Sequence, residues 1–143
     1  MKIVLDECIM NRKLQRFLRE SDYECVRCLD DGFGYNSGDA DEILVEKAGE
    51  INHLVLTVDF STITEDKFPP CTHCGILRFP RNKLSAEYIF QRMEALRKLK
   101  LEEKVVGHFT FFSDDGVKIV THHKTPIERK FEDYEELKDI ERE

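Results

Sequence analysis

Three aspartates stand at positions from which their carboxylates could meet. Asp6 closes the apolar run Ile3-Val4-Leu5, Asp59 closes His53-Leu54-Val55-Leu56-Thr57-Val58, and Asp41 opens a stretch with Leu44, Ala48 and Ile51 at helical spacing. Carboxylates brought together suit a hard divalent cation, which takes oxygen ligands. Taken singly, each has a plainer use: Asp6 as cap of a helix starting near Ile9, Asp41 as complement to a helix dipole, Asp59 as a turn residue. Arg12, Arg16 and Arg19 share one helix face and could hold a phosphate backbone beside such a site, or form an ordinary solvated basic face. Cysteines supply a second candidate chemistry. Cys25-x-x-Cys28 and Cys71-x-x-Cys74, with His73 inside the second pair, have the spacing of a zinc site. Cys25 and Cys28 fall on an expected strand, where residues three apart point to opposite faces. They read as buried thiols. Cys71, His73 and Cys74 follow Pro69-Pro70 in a loop that could turn to bind zinc, which is the lesser reading of that loop.

The elements that must position these groups alternate. Lys2–Asp6 reads as a buried strand, Ile9–Glu20 as an amphipathic helix, and Tyr23–Leu29 as a second strand ended by Asp30-Asp31-Gly32. A helix from Asp41 leads to a third strand, His53–Val58. Gly75–Phe79 is a fourth strand, and Ser85–Lys104 a long helix with Ser85 as its N-cap. Val105–Phe112 and Val117–His122 flank Ser113-Asp114-Asp115-Gly116, a hairpin signal in which Asp-Gly supplies positive φ angles. From Ile127 to Ile140 apolar residues recur three or four apart, which predicts an acidic amphipathic helix or tail over residues 126–143. It could dock on its own domain, a second copy of the chain or another protein. The expectation is an α/β domain over residues 1–125, three-layered α/β/α, with a mainly parallel sheet and a C-terminal β-hairpin. In such sheets ligands bind beyond the carboxyl ends of the strands, where Asp6 and Asp59 would sit.

Met1-Lys2-Ile3-Val4-Leu5-Asp6-Glu7, then Asp41-Glu42-Ile43-Leu44 with Ala48, then Leu54-Val55-Leu56-Thr57-Val58-Asp59-Phe60 resemble the PIN-like nucleases, in the branch of small prokaryotic proteins related to VapC-type toxins. The resemblance implies a metal-dependent endoribonuclease, the toxin of a toxin–antitoxin pair, with RNA as substrate and an antitoxin protein as partner. It further implies that Asp6, Asp41 and Asp59 hold Mg²⁺ or Mn²⁺, so that a metal-bound water attacks the phosphodiester. Many relatives carry a second acid two positions after the one matching Asp59. Here that residue is Ser61, so three carboxylates suffice, or Glu65, Asp66 or Asp39 substitutes, or the site is weakened into an idle binding module.

Composition bounds these readings. The chain has 143 residues, 41% of them hydrophobic, and a net charge of −7. Residues 128–143 hold eight acids and four bases, so the rest is only mildly acidic. Bulk charge does not favour phosphate, and an RNA contact must be local. No apolar run is long enough to span a membrane. The first ten residues lack the apolar core of a secretory leader, and five cysteines, an odd number, are expected as reduced thiols in the cytoplasm. A phosphoacceptor receiver domain would also place acids after its first and third strands. It calls for Ser or Thr after the fourth strand and Lys after the fifth, where this chain has Phe79-Pro80 and Ser113-Asp114.

Overall fold

The computed structural model describes residues 1–9, 11–59, 61–121 and 125–131. Five strands run parallel: β1 (Lys2–Leu5), β2 (Glu24–Arg27), β3 (Leu54–Thr57), β4 (Ile76–Arg78) and β5 (Phe109–Phe112). β6 (Gly116–Val120) and β7 (Ile127–Lys130) add antiparallel at one side, giving the order β2-β1-β3-β4-β5-β6-β7. The helices are α1 (Arg12–Glu20), α2 (Asp41–Glu50), α3 (Ala86–Lys98) and the short α4 (Glu102–Val105). This is the α/β class with a mostly parallel sheet. None of its described helices is long and apolar enough to cross a membrane.

Strand sequences such as Ile3-Val4-Leu5 are apolar throughout because both faces of the sheet are buried. Alternate residues then enter different cores. Ile3, Leu5, Leu54, Leu56 and Leu77 cluster with Leu14 and Leu18 of α1 and Ile89, Met93 and Leu96 of α3. Val4, Val55, Ile76 and Phe109 cluster with Leu44, Val45 and Ala48 of α2, together with Ile63 and Phe68. Cys25 belongs to the first cluster and Cys28 to the second, so the two thiols do point to opposite faces.

Four expectations need correction. The first helix begins at Arg12, after a separate 3-10 turn at Glu7–Ile9, because Asn11 Oδ1 accepts from the Lys13 and Leu14 amides at 2.9 and 3.2 Å. Asp6 is therefore not its cap. The long helix stops at Lys98, and Lys100 with φ +59 separates it from α4. Ser85 does cap its start, accepting from the Tyr88 amide at 3.1 Å. The β5–β6 hairpin is present, but Gly116 does not take a positive φ. It lies in β6, where a Cβ would fall 2.1 Å from the Arg129 carbonyl oxygen of β7, so close strand approach demands the glycine.

The last correction concerns the C-terminal segment. Ile127–Lys130 is a strand, with Ile127 opposite Ile119 and Lys130 opposite Gly116, and the sheet therefore runs past the expected boundary at 125. The open edge of β6 offers a full set of backbone partners, whereas a lone short helix is marginal in water. The rest of the expected helix, 132–143, lies outside the described residues, as do Met10, Phe60 and His122-His123.

Candidate active site

Register and alternation carry one set of side chains to the carboxyl end of the sheet on the α2 side. Leu5 pairs with Leu56, so Asp6 follows beside Thr57. Thr57 pairs with Arg78, and Arg78 with Phe111. On the other flank Leu5 pairs with Arg27, which brings Cys28 beside Asp6. The result is a single cross-strand row, Cys28, Asp6, Thr57, Arg78 and Phe111, over the face that α2 covers. Adjacent strands are ~4.8 Å apart, so these groups are near neighbours although they come from five segments of chain.

Asp6 is the buried acid of the row, 4% exposed. Its Oδ2 accepts from the Thr57 hydroxyl at 2.7 Å and the Cys8 thiol at 3.2 Å, and its Oδ1 from the Glu7 amide at 2.7 Å. Burial outweighs these donors and pushes the Asp6 carboxyl above its ordinary range, with the charge of Asp41 adding to the rise. Asp41, in the first turn of α2, is thus electrostatically coupled to Asp6. Burial and the Asp6 charge in turn raise the Cys8 thiol to about 11, so it stays a neutral donor. Burial and Glu7 likewise raise Tyr35, whose hydroxyl donates to the Asp39 carbonyl at 2.9 Å. The Ser37 hydroxyl holds Glu7 at 2.5 Å.

Asp59, which follows β3 at the same end of the sheet, sits in a different environment. Its amide donates to Thr57 Oγ1 at 3.0 Å, so one hydroxyl joins the chain at Asp59 to the carboxylate of Asp6. Against the upward push of burial, donors from Thr62 and Ser61 hold the Asp59 carboxyl below its ordinary range. Oδ1 accepts from the Ser61 amide and hydroxyl at 2.8 and 3.1 Å and from the Thr62 amide at 3.0 Å, and Oδ2 from the Thr62 hydroxyl at 2.7 Å. Ser61 therefore does not merely lack a second acid; it donates to the first. Of the suggested substitutes, Asp39 accepts the Asn36 amide at 2.8 Å within its own loop, and Glu65 acts on the charge of Arg78. Lys67 bonds Glu42 at 2.7 Å and also feels Asp41 and Asp59, which places an ammonium at the outer side of the acids.

Among the described residues, no three or more Asp, Glu, His or Cys side chains are grouped to hold a metal ion. As the side chains stand, Asp6, Asp41 and Asp59 do not form a three-carboxylate cage. The donor chemistry nonetheless fits a hard cation, because Mg²⁺ retains several waters and needs only one or two carboxylates. Asp6 and Asp41, whose charges repel, are the two carboxylates that would serve as such a pair. Asp59 Oδ2, with one donor against three on Oδ1, keeps the greater capacity for a further contact.

Compared with known proteins, the chain matches no family model, no curated protein and no solved structure.

The basic face takes a definite shape. Arg12, Arg16 and Arg19 of α1 line a groove of ≈ 490 Å³ with Gln15, Glu20 and Arg27, at the free edge of β2. Gln15 Nε2 and Arg19 Nε both donate to the Cys25 carbonyl, at 3.1 and 2.9 Å, and so cover that strand edge. Arg27 is fixed by Asp30 at 2.8 Å. The loop thiols are not assembled. His73 Nε2 lies 3.0 Å from the Phe68 carbonyl, Cys74 Sγ lies 3.8 Å from that of Gly49, and Cys71 is exposed.

Sequence reasoning missed Thr57, Arg78 and Phe111, and it read Cys28 as a buried thiol, which it is, without placing it beside Asp6. The signal for Arg78 was present: a charged residue ends an apolar strand at the same end of the sheet as Asp6 and Asp59.

Proposed function

We propose that this chain is a metal-dependent ribonuclease with the α/β/α layering of the PIN-like nucleases, acting on RNA phosphodiesters at Asp6, Asp41 and Asp59. One observation carries the reading. The Thr57 hydroxyl joins Asp6 to the backbone of Asp59 across adjacent parallel strands, at the end of the sheet where α2 presents Asp41. A buried acid with a second acid acting on it is costly in a fold with no cation, and it suits a site built to receive one.

Asp6 and Asp41 would hold Mg²⁺ or Mn²⁺, which supplies a water of lowered pKa and neutralises charge on the phosphate. Thr57 and Cys8 fix the direction of Asp6 Oδ2, and the Glu7 amide fixes Oδ1. Lys67 limits the repulsion that an approaching phosphate meets from Asp41 and Asp59. The groove of Arg12, Arg16, Arg19 and Arg27 holds the backbone on the β2 side of the site.

The test is cleavage of a labelled single-stranded oligoribonucleotide with Mn²⁺, for the parent chain and for Asp6→Asn. Cleavage lost in the variant, with the fold retained, is the expected outcome. Equal cleavage by both would remove Asp6 from the chemistry. A second reading, an idle PIN-like binding module, draws on the donors from Ser61 and Thr62 that already engage Asp59. Binding without cleavage by the parent chain would establish it.

A further inference from the structure

We propose that Arg78, packed over Phe111 at the end of β4, binds the phosphodiester anion of the substrate. The inference rests on the ribonuclease reading and names the residue that recognises the substrate in that site.

Position carries it first. Arg78 occupies the same cross-strand row as Asp6, with only Thr57 between them, so its backbone lies two strand spacings, roughly 10 Å, from that of Asp6. A phosphate presented to Asp6 from the β4 side therefore comes within reach of a long arginine side chain. Construction of the site carries it second. The Arg78 guanidinium carbon lies 4.3 Å from the ring centre of Phe111 and 5.7 Å from that of the buried Phe109, and those two rings pack at 4.9 Å. Cation–π packing over two rings holds the guanidinium beside the row, and a guanidinium can meet a phosphate with two parallel hydrogen bonds. Phe109 is fully buried and Phe111 packs on the same core, so the aromatic ledge is anchored to it.

Charge supplies the third argument. A polyanion approaching Asp6, Asp41 and Asp59 is repelled unless a cation stands in the same row. Lys67 is engaged with Glu42 at the outer side. Arg78 is the row's cation and is half-buried, where its field is less screened than that of a surface lysine. The neighbouring charges of Asp59 and Glu65 keep it protonated despite burial. A purely structural arginine tying down the 59–65 loop would share these neighbours, and the experiment is chosen to tell the two apart.

The full chain is titrated, in EDTA so that cleavage is silent, into a fluorescent single-stranded oligoribonucleotide. The same oligomer with an uncharged methylphosphonate backbone serves as control. Hydrogen bonds to charged groups contribute enough that Arg78→Gln is expected to weaken binding of the natural oligomer by roughly 10- to 100-fold. It should leave the weak binding of the neutral oligomer unchanged. Arg78→Lys should recover part of the loss, since it restores a point charge without the fork. Phe111→Leu, which keeps the charge and removes the ledge, should show an intermediate loss. In steady-state cleavage with Mn²⁺ the Arg78→Gln defect should appear in KM at least as much as in kcat. Unchanged oligomer affinity in Arg78→Gln, accompanied only by a lower Tm, would overturn the proposal and leave Arg78 as a loop anchor. Arg78-dependent binding by a parent chain that does not cleave would sustain the proposal while removing the nuclease reading.

Discussion

Thr57→Val tests the centre of the site with almost no change of shape. The Thr57 side chain is fully buried, and its hydroxyl donates to Asp6 Oδ2 at 2.7 Å while accepting from the Asp59 amide at 3.0 Å. A hydrogen bond to an ionised acceptor contributes ~1.5–3 kcal/mol and one to a backbone amide about 1. The extra buried methyl returns about 0.8. The expected net loss is ~2–3 kcal/mol at neutral pH. For a chain of 143 residues this corresponds to a fall in Tm of roughly 6–9 °C. The sign with pH follows from Asp6. Its folded pKa lies above its ordinary value, so its contribution to stability is fully present below the unfolded pKa and is lost as pH rises through the folded one. Removing the Thr57 donor raises the folded pKa further and deepens that loss. Once Asp6 is protonated its bond to Thr57 is neutral, and the penalty should shrink to about 1 kcal/mol. Urea unfolding of both proteins across this pH range is the assay. An equal penalty at acid and neutral pH, or none at either, would show that the hydroxyl does not serve an ionised Asp6.

Asp6→Asn removes a buried charge with little change of volume, so it should raise stability at neutral pH, with the gain vanishing in acid. A lower urea midpoint at neutral pH would contradict the assigned burial cost. Removing both Arg12 and Arg16 should reduce the slope of log affinity against log salt by about 1.4 for a single-stranded RNA, at ~0.7 per phosphate contact. An unchanged slope would place the backbone elsewhere. Gly116→Ala must push β7 away from β6, because its Cβ would meet the Arg129 carbonyl at 2.1 Å. The expected cost is ~1–3 kcal/mol. Hydrogen exchange should show β7 amides losing protection while those of β1 and β3 keep it.

Much of the parallel part of this sheet could be read from sequence because its central strands carry apolar runs and its helices are periodic. Ile3-Val4-Leu5 and Leu54-Val55-Leu56 announce strands buried on both faces, and Leu14 and Leu18 announce the helix that covers one of them. Asp6 and Asp59 could be placed at one end of the sheet because parallel strands share a direction. What stayed hidden depends on register. Nothing local in the sequence says that Thr57 faces Asp6 or that Arg78 faces Phe111, since pairing between strands is settled by the packing of distant segments. The C-terminal strand misled for a related reason. Ile127 and Phe131 are four apart and suit a helix, but the unpaired edge of β6 outweighs a spacing preference in so short a segment. Ser61 misled in chemistry: its hydroxyl replaces repulsion between two acids with a hydrogen bond to Asp59.

Asp6 and Asp59 are shifted in opposite directions, and on the proposed ribonuclease reading that difference assigns the acid limb of activity. Burial raises Asp6, whereas Ser61 and Thr62 outweigh burial and lower Asp59. As pH falls, Asp6 takes up a proton first. Its protonated form resists a divalent ion, because ligands must be deprotonated to bind. Proton and ion then compete for one carboxylate. The acid limb of the cleavage rate should therefore move to lower pH as Mn²⁺ is raised. Thr57→Val should move it to higher pH at fixed Mn²⁺, since the variant strips a donor from the ionised form. Ser61→Ala, which strips a donor from Asp59 alone, should lower stability at neutral pH, with the loss shrinking in acid as Asp59 is protonated, and should not move the limb. An acid limb that ignores Mn²⁺ in the parent chain and follows Ser61→Ala instead would transfer the role from Asp6 to Asp59.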